Sequence, residues 1–462
     1  MTSENQTMQP MEKRAALSVS GIFATRMLGL FMIFPVFAIF AQQEFKDVTG
    51  TQIGIAMGIY GLTQAFLQIP YGVLSDRFGR KPLIIAGMLV FMFGSIICAM
   101  ANSIEMMIVG RAIQGMGAVA AVLMATVADL VTEQFRLRAM SIVGMTIGFS
   151  FTLSLIIGPI LGELFGVRGI FWVIALLALA GIFLVIFAVP KIEHQTFQRE
   201  AEVDPSQFKD VLKNTQLLRL DMGVFVLHSI LTAMFVVVPL MIRDTAHLDS
   251  MHDWELYLPV MLLSFVLMVP FIIMAESKGK MKEIFVGSIV TIGLVQVALL
   301  SFSGGYWPIF LILMIFFTAF NLLEASLPSL VVKLSPADKK GTASGVFSSS
   351  QFFGAALGGF VGGWMYQHHG IEGVFLFTSA IALLWAAVAA TMQKPLPLSI
   401  ASVPIQGIVT QGDVPALTQQ LLSYDGVHEV VFVLSENRVF FKIDRKKIDE
   451  VGLINYLERG LS

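Results

Sequence analysis

Four ionisable side chains lie inside long apolar segments of the chain, where each charge is costly. They are Arg26, Arg111, His228 and Glu324. On insertion scales a charged group at the centre of a membrane helix costs about 2.5–3.5 kcal/mol. A carboxyl group in apolar surroundings holds its proton to higher pH than in water, and an ordinary histidine titrates near neutral pH. These residue types therefore predict proton binding or ion pairing within a membrane.

Glu324 is the first candidate for a proton carrier, because a carboxyl group can load and release a proton without a cofactor. The alternative for Glu324 is a structural ion pair, for example with Arg26. His228 is the second candidate, and its alternative is a hydrogen-bonded structural histidine. Arg26 and Arg111 complete the set of candidates for proton coupling.

The composition is that of a membrane protein. Of the 462 residues, 56% are hydrophobic and 13% are charged, whereas a soluble domain carries about 25% charged residues. Apolar runs recur at about the 20-residue length that crosses a bilayer as a helix. The sequence predicts twelve spans, namely Ala16–Ala41, Thr51–Ser75, Pro82–Asn102, Ile104–Val131, Arg138–Phe165, Gly169–Val189, Leu217–Ile242, Trp254–Glu276, Glu283–Ser303, Tyr306–Lys333, Gly341–His368 and Glu372–Met392.

Lys and Arg residues predict the orientation of these spans. They concentrate in the segments on the side of the N-terminus, and only Lys46, Arg168 and Arg243 fall between spans on the other side. Loops rich in Lys and Arg remain in the cytoplasm. We therefore expect both termini to be cytoplasmic.

A charged, glycine-containing loop joins spans two and three and recurs in weaker form 200 positions later. The loop runs from Gly72 to Lys81 with the sequence GVLSDRFGRK, and its copy runs from Glu276 to Lys280. The segment Gly158–Gly162 matches Gly358–Gly362 at the same offset. Two-halved membrane bundles are usually transporters, so the repeat predicts two similar six-helix halves of a transporter.

Four parts follow from this organisation: a first half (1–190), a cytoplasmic linker (191–216), a second half (217–392) and a cytoplasmic tail (393–462). Within the linker, Asp204-Pro205 resembles a helix start, and Phe208, Val211 and Leu212 would share one face. We expect a short amphipathic helix on the membrane surface. A disordered tether is the alternative.

The tail has the pattern of a small α+β module. Strands are predicted over Val403–Thr410, Val427–Leu434 and Val439–Ile443, and helices over Asp413–Leu422 and Lys446–Glu458. This order suggests a ferredoxin-like module whose last strand is short or missing. It contains no Cys, which disfavours metal transfer through thiolates. We expect the tail to bind a regulator or to self-associate.

Three motifs resemble those of the major facilitator superfamily. The loop Gly72–Lys81 resembles its signature loop between the second and third helices, and Arg111–Ala118 resembles its fourth-helix motif. Gly158-Pro159 resembles the fifth-helix motif of its drug–proton antiporters, although Ser154 and Glu163 stand where that motif usually has Gly.

The segments Ile59–Gln64 and Asn321–Ala325 and the soluble tail together resemble the YajR-type inner-membrane transporters of this superfamily. The resemblance covers nearly the whole chain. It implies an all-α bundle of twelve transmembrane helices, alternating access, proton-driven efflux and a bacterial-type inner membrane. Helices one, four, seven and ten line the cavity in this superfamily, and these helices carry the four ionisable residues.

The resemblance also implies that the loop is a conformational latch between the halves. Its residues are Gly72, Asp76, Arg77, Gly79, Arg80 and Lys81, with Asp129 as a partner. We expect Asp76 to face the positive N-terminal end of span eleven near Gly341, and Arg80 to pair with Asp129. The alternative is a charge cluster that sets topology and has no switching role.

Other side chains are candidates for the cavity wall or for helix packing. Gln114 and Asn321 can orient a polar substrate group. The candidates for an apolar wall are Phe31, Phe34, Phe317 and Phe320, with lipid-facing or packing roles as the alternative. The candidates for close helix packing are Gly158, Pro159, Gly162, Gly358 and Gly362.

These observations predict a secondary transporter that exports small organic compounds in exchange for protons. The alternatives are a proton symporter or an uncoupled facilitator of a polar solute and, as a different class, a membrane sensor. No Walker loop is present, and His252, His368 and His369 do not form a metal-ligand pattern. We expect no catalytic residues, cofactor, metal or nucleic-acid partner; the expected partners are lipids, protons and a small molecule.

Overall fold

The chain folds into a helical bundle followed by a small sheet. In the computed structural model, the described residues are 8–191, 207–246, 253–302, 304–336, 339–393, 399–405, 412–434, 438–444, 447–448 and 452. The helices are α1 (Pro10–Phe31), α2 (Phe34–Glu44), α3 (Gly50–Phe78), α4 (Arg80–Ala99), α5 (Ile104–Met116), α6 (Ala120–Leu130), α7 (Glu133–Phe183), α8 (Phe208–Lys213), α9 (Thr215–Ala246), α10 (Asp253–Ser277), α11 (Met281–Leu300), α12 (Tyr306–Leu334), α13 (Lys340–Ala390) and α14 (Val414–Leu422). A π-helical turn, Leu184–Ala188, continues α7.

Ten helical segments within the described residues are long and apolar enough to cross a membrane. Two of them, in α7 and α13, are 51 residues long. Such a length rises about 76 Å, while the hydrocarbon core of a bilayer is about 30 Å thick. Each of these two helices is interrupted by a glycine with positive φ, Gly166 at 67° and Gly370 at 66°. Glycine tolerates this backbone conformation, so both long helices contain a sharp bend.

The first and fourth predicted spans are each divided into two helices. The first is interrupted between α1 and α2 just before Pro35, which cannot donate a helical hydrogen bond. The fourth is interrupted between α5 and α6 at Gly117. A Cβ atom on Gly117 would lie 2.4 Å from the carbonyl oxygen of Gly87, so the break allows α4 to approach closely.

Hydrogen bonds identify the two ends of the bundle. At one end, Arg14 Nε and Lys81 Nζ donate to the carbonyl oxygens of Ala188 and Val189, at 2.8 and 2.6 Å. We refer to this end, which carries Arg14, Lys81 and the loop after α3, as the charged end. At the opposite end, Arg168 pairs with Glu44 at 2.8 Å.

Glycines bring α3 and α13, which belong to different halves, into backbone contact near the opposite end. A Cβ atom on Gly54 would lie 2.0 Å from the carbonyl oxygen of Gly359, and one on Gly58 would lie 2.7 Å from that of Ala356. Side chains larger than hydrogen therefore do not fit in this interface.

Polar contacts reinforce the same interface. Gln42 Nε2 donates to Tyr366 Oη at 3.0 Å, and Thr51 Oγ1 donates to Gln367 Oε1 at 2.5 Å. The structure thus describes a bundle whose halves are closed against each other at the opposite end.

The predicted packing glycines differ in the space around them. A Cβ atom on Gly158 would lie 2.2 Å from the carbonyl oxygen of Met32, and one on Gly358 would lie 2.1 Å from the carbonyl oxygen of Ser229. At Gly362 it would lie 2.8 Å from the Cβ atom of Ala233. The nearest neighbour of Gly162 would be a Val36 methyl group at 3.4 Å, which is tight but not excluded. Pro159 lies inside α7 beside Gly158.

The linker is described from residue 207 onward and contains α8. Val211 on this helix is buried, while Leu212 is 49% exposed, so the two do not share the buried face that the sequence suggested. Lys339 Nζ donates a 2.7 Å hydrogen bond to Asp210, which ties α8 to the start of α13. Asp204 and Pro205 lie outside the described residues.

The tail contains a three-stranded antiparallel sheet in the order β1-β3-β2. Its strands are β1 (Ser399–Pro404), β2 (Val427–Val433) and β3 (Arg438–Ile443). Strand β1 pairs with β3 from Ser399 opposite Ile443 to Pro404 opposite Arg438. Strand β1 begins four residues before the predicted first strand Val403–Thr410 and overlaps it at Val403 and Pro404, while residues 406–410 lie outside the described residues.

The helix between the first two strands, α14, agrees with its predicted range. Its first residue is preceded by Asp413, whose side chain makes no capping hydrogen bond. Most of the predicted helix Lys446–Glu458 lies outside the described residues.

Candidate functional site

A cluster of three polar side chains lies between α9, α12 and α13, at the middle of the second half. His228 Nε2 lies 3.7 Å from Glu324 Oε2. Gln351 Nε2 lies 2.7 Å from His228 Nε2 and 3.4 Å from Glu324 Oε1. His228 is buried and Glu324 is partly exposed. The structure thus brings together the two residues that the sequence singled out for proton binding.

The hydrogen bonds of His228 define how this cluster can change its protonation. Nδ1 of His228 lies 3.1 Å from the carbonyl oxygen of Val224, so it carries a hydrogen and donates to that oxygen. Nε2 of a neutral imidazole then accepts from the amide of Gln351. A proton added at Nε2 would turn this atom into a donor, which requires the Gln351 amide to turn and favours an ionised Glu324 beside it.

Arg26 is not the partner of Glu324, so the expected alternative of an Arg26–Glu324 ion pair is wrong. Arg26 Nη2 instead donates to Tyr60 Oη and to Gln64 Oε1, both at 3.1 Å, within the first half. The reason is the rotation of α1, which turns Arg26 towards α3 and away from the second half.

Arg111 belongs to the same polar network inside the first half. Its guanidinium lies 5.0 Å from the centre of the Tyr60 ring, and Nη1 donates to Gln114 Oε1 at 2.8 Å. Gln114 Nε2 in turn donates to Ser95 Oγ at 2.7 Å. Both ends of the Gln114 amide are therefore used by residues of its own half, and the side chain does not reach the space between the halves.

Asn321 is held in a similar way in the second half. Its Nδ2 atom donates to Ser264 Oγ on α10 at 3.0 Å, and the side chain is buried. The two amides predicted to orient a substrate, Gln114 and Asn321, thus bind residues of their own halves in this conformation.

The four predicted phenylalanines form part of a continuous aromatic cluster between the two halves. Phe31 contacts Phe34 and Phe151, with ring centres 5.2 and 4.8 Å apart. Phe151, on α7, lies 6.4 Å from Phe317 and 5.9 Å from Phe320 on α12. These residues face protein rather than lipid.

The aromatic cluster is continuous with the polar one. The ring of Phe320 lies 6.1 Å from that of His228, and Phe34 lies 5.3 Å from Phe235 on α9. An apolar wall from both halves therefore stands next to the only buried histidine among the described residues.

The loop after α3 forms a compact ion-pair cluster at the charged end. Arg80 Nε donates to Asp129 Oδ2 at 2.9 Å, and Arg80 Nη1 donates to Ser75 Oγ at 2.6 Å and to Asp76. Gly79 has φ of 92°, a value that favours glycine and lets α4 begin directly after α3.

The remaining loop residues have separate surroundings. Asp76 interacts with Arg80 alone among the described residues, so the structure does not show the expected approach to Gly341. Arg77 lies over the ring of Phe78 at 5.5 Å. A Cβ atom on Gly72 would meet only the Ala121 side chain, at 3.6 Å.

Several residues of these clusters are missing from the sequence prediction. Gln351, Phe151 and Phe235 carry no distinctive motif, because an amide or a phenylalanine in an apolar helix is common. Asp221 is different, since it is a carboxylate within the predicted seventh span and is buried. Its charge in an apolar segment is a signal that the sequence does contain.

The comparisons with known proteins agree with this architecture. The family model of the Major Facilitator Superfamily matches residues 19–278 and 260–423. The inner membrane transport protein YajR of Escherichia coli K12 is 42% identical over 439 residues, which cover 95% of this chain and 96% of that protein. The multidrug resistance protein MdtH of Proteus mirabilis is 26% identical over 350 residues, which cover 74% and 84% of the two chains.

A solved structure shares the fold at much lower identity. A bacterial homologue of the human lysosomal transporter Spinster, in an inward-facing and occupied conformation, superposes with a TM-score of 0.68 at 12% identity and covers 84% of this chain and 98% of its own. The matched family and the YajR relative are membrane transporters and not enzymes. The matched residues, the repeated halves and the apolar helices together show that the chain is a multi-pass membrane protein that belongs to the Major Facilitator Superfamily of transporters.

Proposed function

We propose that this protein exports small organic compounds across a bacterial-type inner membrane in exchange for protons. The observation that carries this proposal is the cluster of Glu324, His228 and Gln351 next to an aromatic wall that both halves supply. Two protonatable groups within 4 Å of each other can hold one proton and exchange it when the polarity of the site changes. The aromatic rings offer a surface for an apolar compound.

In the proposed cycle, proton binding and compound binding alternate at this site. When Glu324 and His228 are both protonated, no net negative charge faces the aromatic wall. When the proton leaves Glu324, its carboxylate requires a new partner, either the imidazolium of His228 or a positively charged group of the compound. Export by exchange fits this competition. The name of the relative MdtH, a multidrug resistance protein, supports the same class of compound.

The architecture proposed for this cycle has twelve spans and two cytoplasmic termini. The bends at Gly166 and Gly370 divide the two long helices into two crossings each, which raises ten apolar segments to twelve. Lys and Arg at the charged end support its placement in the cytoplasm. We propose four parts as predicted, 1–190, 191–216, 217–392 and 393–462.

The ion-pair cluster of Arg80 is proposed as the latch between conformations. The glycine contacts of α3 with α13 close the opposite end, and the Arg80–Asp129 pair lies within one half at the charged end. In the conformation that opens the opposite end, we propose that Asp76 approaches the start of α13 near Gly341. Helix N-termini favour negative charge, so this contact would be attractive.

The tail is proposed to be a ferredoxin-like module. Strands β1 and β2 both run antiparallel to β3, so they are parallel to each other and are connected through α14 with β3 between them. This is the split β-α-β arrangement that the ferredoxin-like fold contains. We propose that the tail binds a regulator or a second copy of itself.

A reconstituted transport assay tests the proposed function. The purified protein is placed in lipid vesicles, a pH gradient is imposed, and the movement of ethidium and a panel of other fluorescent organic compounds is followed. We expect gradient-driven movement in the unmodified protein, and at least about a tenfold loss in Glu324→Gln, because removal of a group that carries the coupled proton uncouples the two fluxes. Glu163→Gln is the matched control, since Glu163 is an exposed carboxylate on α7.

The outcomes separate the alternatives. Full gradient-driven movement in Glu324→Gln would show that Glu324 does not carry the coupled proton. Movement of a compound in the same direction as protons would indicate a symporter. Movement that is independent of the pH gradient would indicate an uncoupled facilitator.

A further inference from the structure

Asp221 is a buried carboxylate that the transport site described so far does not use. It lies nearly two turns inside α9 from the charged end and is 6% exposed. It forms no hydrogen bond or ion pair with any residue in the part of the chain that the structure describes. The cost of an unpaired buried charge is high, so this position favours a carboxyl group that carries a proton.

Three cations near the charged-end termini of α9, α12 and α13 form no ion pair with Asp221. Arg219 donates to Thr391 Oγ1 and to the carbonyl oxygen of Thr215, both at 3.2 Å. Lys339, at the start of α13, pairs with Asp210 of α8. Lys333 is exposed at the end of α12 and forms no ion pair with Asp221. Arg219, Lys339 and Lys333 therefore do not balance the charge of Asp221.

Asp221 and His228 share one face of α9. Seven residues are within about 20° of two full helical turns, so the two side chains leave the helix in nearly the same direction. They are separated by about 10.5 Å along the helix axis. Val224 lies between them on this face, and its carbonyl oxygen accepts the hydrogen bond from His228 Nδ1.

Asp221 lies between the charged end and the cluster of His228 and Glu324. His228 follows Asp221 on the same face of α9, and Glu324 Oε2 on α12 lies 3.7 Å from His228 Nε2. The third neighbouring helix, α13, contributes the neutral amide of Gln351 and no charged group to this cluster. The side chains around His228 are therefore Gln351, Glu324 and Phe320, and Asp221 is the next titratable group along α9.

We propose that Asp221 is a second proton-binding site, through which protons pass between the charged end and the His228–Glu324 pair. In this step the Asp221 carboxyl group releases a proton and becomes a carboxylate, and His228 Nε2 accepts the proton and becomes an imidazolium. The imidazolium then passes a proton to the Glu324 carboxylate, which returns His228 to its neutral form. Because the separation of about 10.5 Å along α9 exceeds one hydrogen bond, the proposed transfer from Asp221 to His228 requires bridging water molecules.

This proposal rests on the proposed proton coupling, so its test includes a measurement that does not require transport. The full-length protein in lipid nanodiscs is studied by infrared difference spectroscopy between about pH 5 and about pH 9, a range that covers carboxyl groups shifted by burial. We expect a band of a protonated carboxyl group that is absent from Asp221→Asn. Asp244→Asn is the control, because Asp244 is exposed and paired with Arg243.

A transport measurement then distinguishes a role of Asp221 in proton transfer from a purely structural role. We expect Asp221→Asn to lower pH-gradient-driven movement of the compound by about tenfold and to leave compound exchange without a pH gradient unchanged, because exchange moves no net protons. Asp221→Glu keeps a carboxyl group on the same face and should restore part of the gradient-driven movement. Size-exclusion profiles of the three proteins report whether they fold.

Each outcome decides the proposal. An infrared spectrum that Asp221→Asn leaves unchanged would overturn it, even if the unmodified protein is proton-coupled. An equal loss of exchange and of gradient-driven movement would assign Asp221 a structural role and would also overturn it. If the unmodified protein shows no coupling, the proposed function fails on its own assay, while the infrared measurement still reports whether Asp221 binds a proton.

Discussion

Arg80 Nε donates a 2.9 Å hydrogen bond to Asp129 Oδ2, and this ion pair joins the start of α4 to the end of α6. Both side chains are nearly inaccessible, at 2% and 0% exposure, whereas Asp76, the other carboxylate on Arg80, is 37% exposed. Arg80 therefore holds one buried and one accessible carboxylate. The two ion pairs should contribute unequally, because burial removes the screening by water.

Removal of Arg80 should destabilise the first half strongly. Arg80→Ala leaves the Asp129 carboxylate buried without its guanidinium, and breaking such a pair costs about 3–5 kcal/mol. Asp76→Asn should cost no more than about 1 kcal/mol, since its ion pair is exposed to solvent. Thermal unfolding of the two variants in detergent measures this difference. Equal losses of stability would contradict the unequal roles of the two carboxylates.

The interface between α3 and α13 predicts a conformational effect of Gly54→Ala. The new Cβ atom would lie 2.0 Å from the carbonyl oxygen of Gly359, so the two helices must separate at the opposite end. We expect several-fold faster alkylation of a cysteine introduced by Gln367→Cys, in a Cys98→Ala background. Gly148→Ala is the control, because nothing lies within 4 Å of its Cβ position. Unchanged alkylation in a folded Gly54→Ala protein would show that this contact does not keep the end closed.

Two glycines of one motif should respond oppositely to alanine. Gly158→Ala places a Cβ atom 2.2 Å from the carbonyl oxygen of Met32, which should cost about 1–3 kcal/mol by overpacking. At Gly162 the nearest atom is 3.4 Å away. Alanine is the better helix former by about 1 kcal/mol, so Gly162→Ala should be neutral or stabilising. A comparison of melting temperatures tests this, and a larger loss in Gly162→Ala would contradict it.

The contact of α8 with α13 should weaken in acid. The Lys339 ammonium donates a hydrogen bond to Asp210 and holds the pKa of that carboxyl below its usual range. A lowered pKa in the folded state means that the ion pair contributes above the ordinary pKa of Asp and is lost as pH falls through the lowered value. Hydrogen exchange of α8 should therefore accelerate in acid, and Asp210→Asn should show the faster exchange already at neutral pH. A pH response that Asp210→Asn does not alter would assign the effect to another group.

Local patterns in the sequence predict the membrane class, the repeated halves and the Arg80–Asp129 pair. An apolar run of about 20 residues is long enough to cross a bilayer as a helix. A charged loop between two such runs must therefore lie at one end of the helical bundle. The family motifs place the loop after the second span, and the structure shows Arg80 and Asp129 in contact. The pairing of β2 with β3 is predicted in the same way, because apolar and polar residues alternate on both sides of a short turn.

The partners of side chains in the bundle depend on the rotation of each helix about its axis, which apolar composition does not specify. Arg26 therefore contacts Tyr60 and not Glu324, while Gln114 and Asn321 bind residues of their own halves. The lengths of the apolar runs already establish which residue types lie in the membrane. The contact of Glu324 with His228 and Gln351 emerges only when the helices pack, because these three residues come from helices far apart in the chain and the rotation of each helix sets which side chains meet.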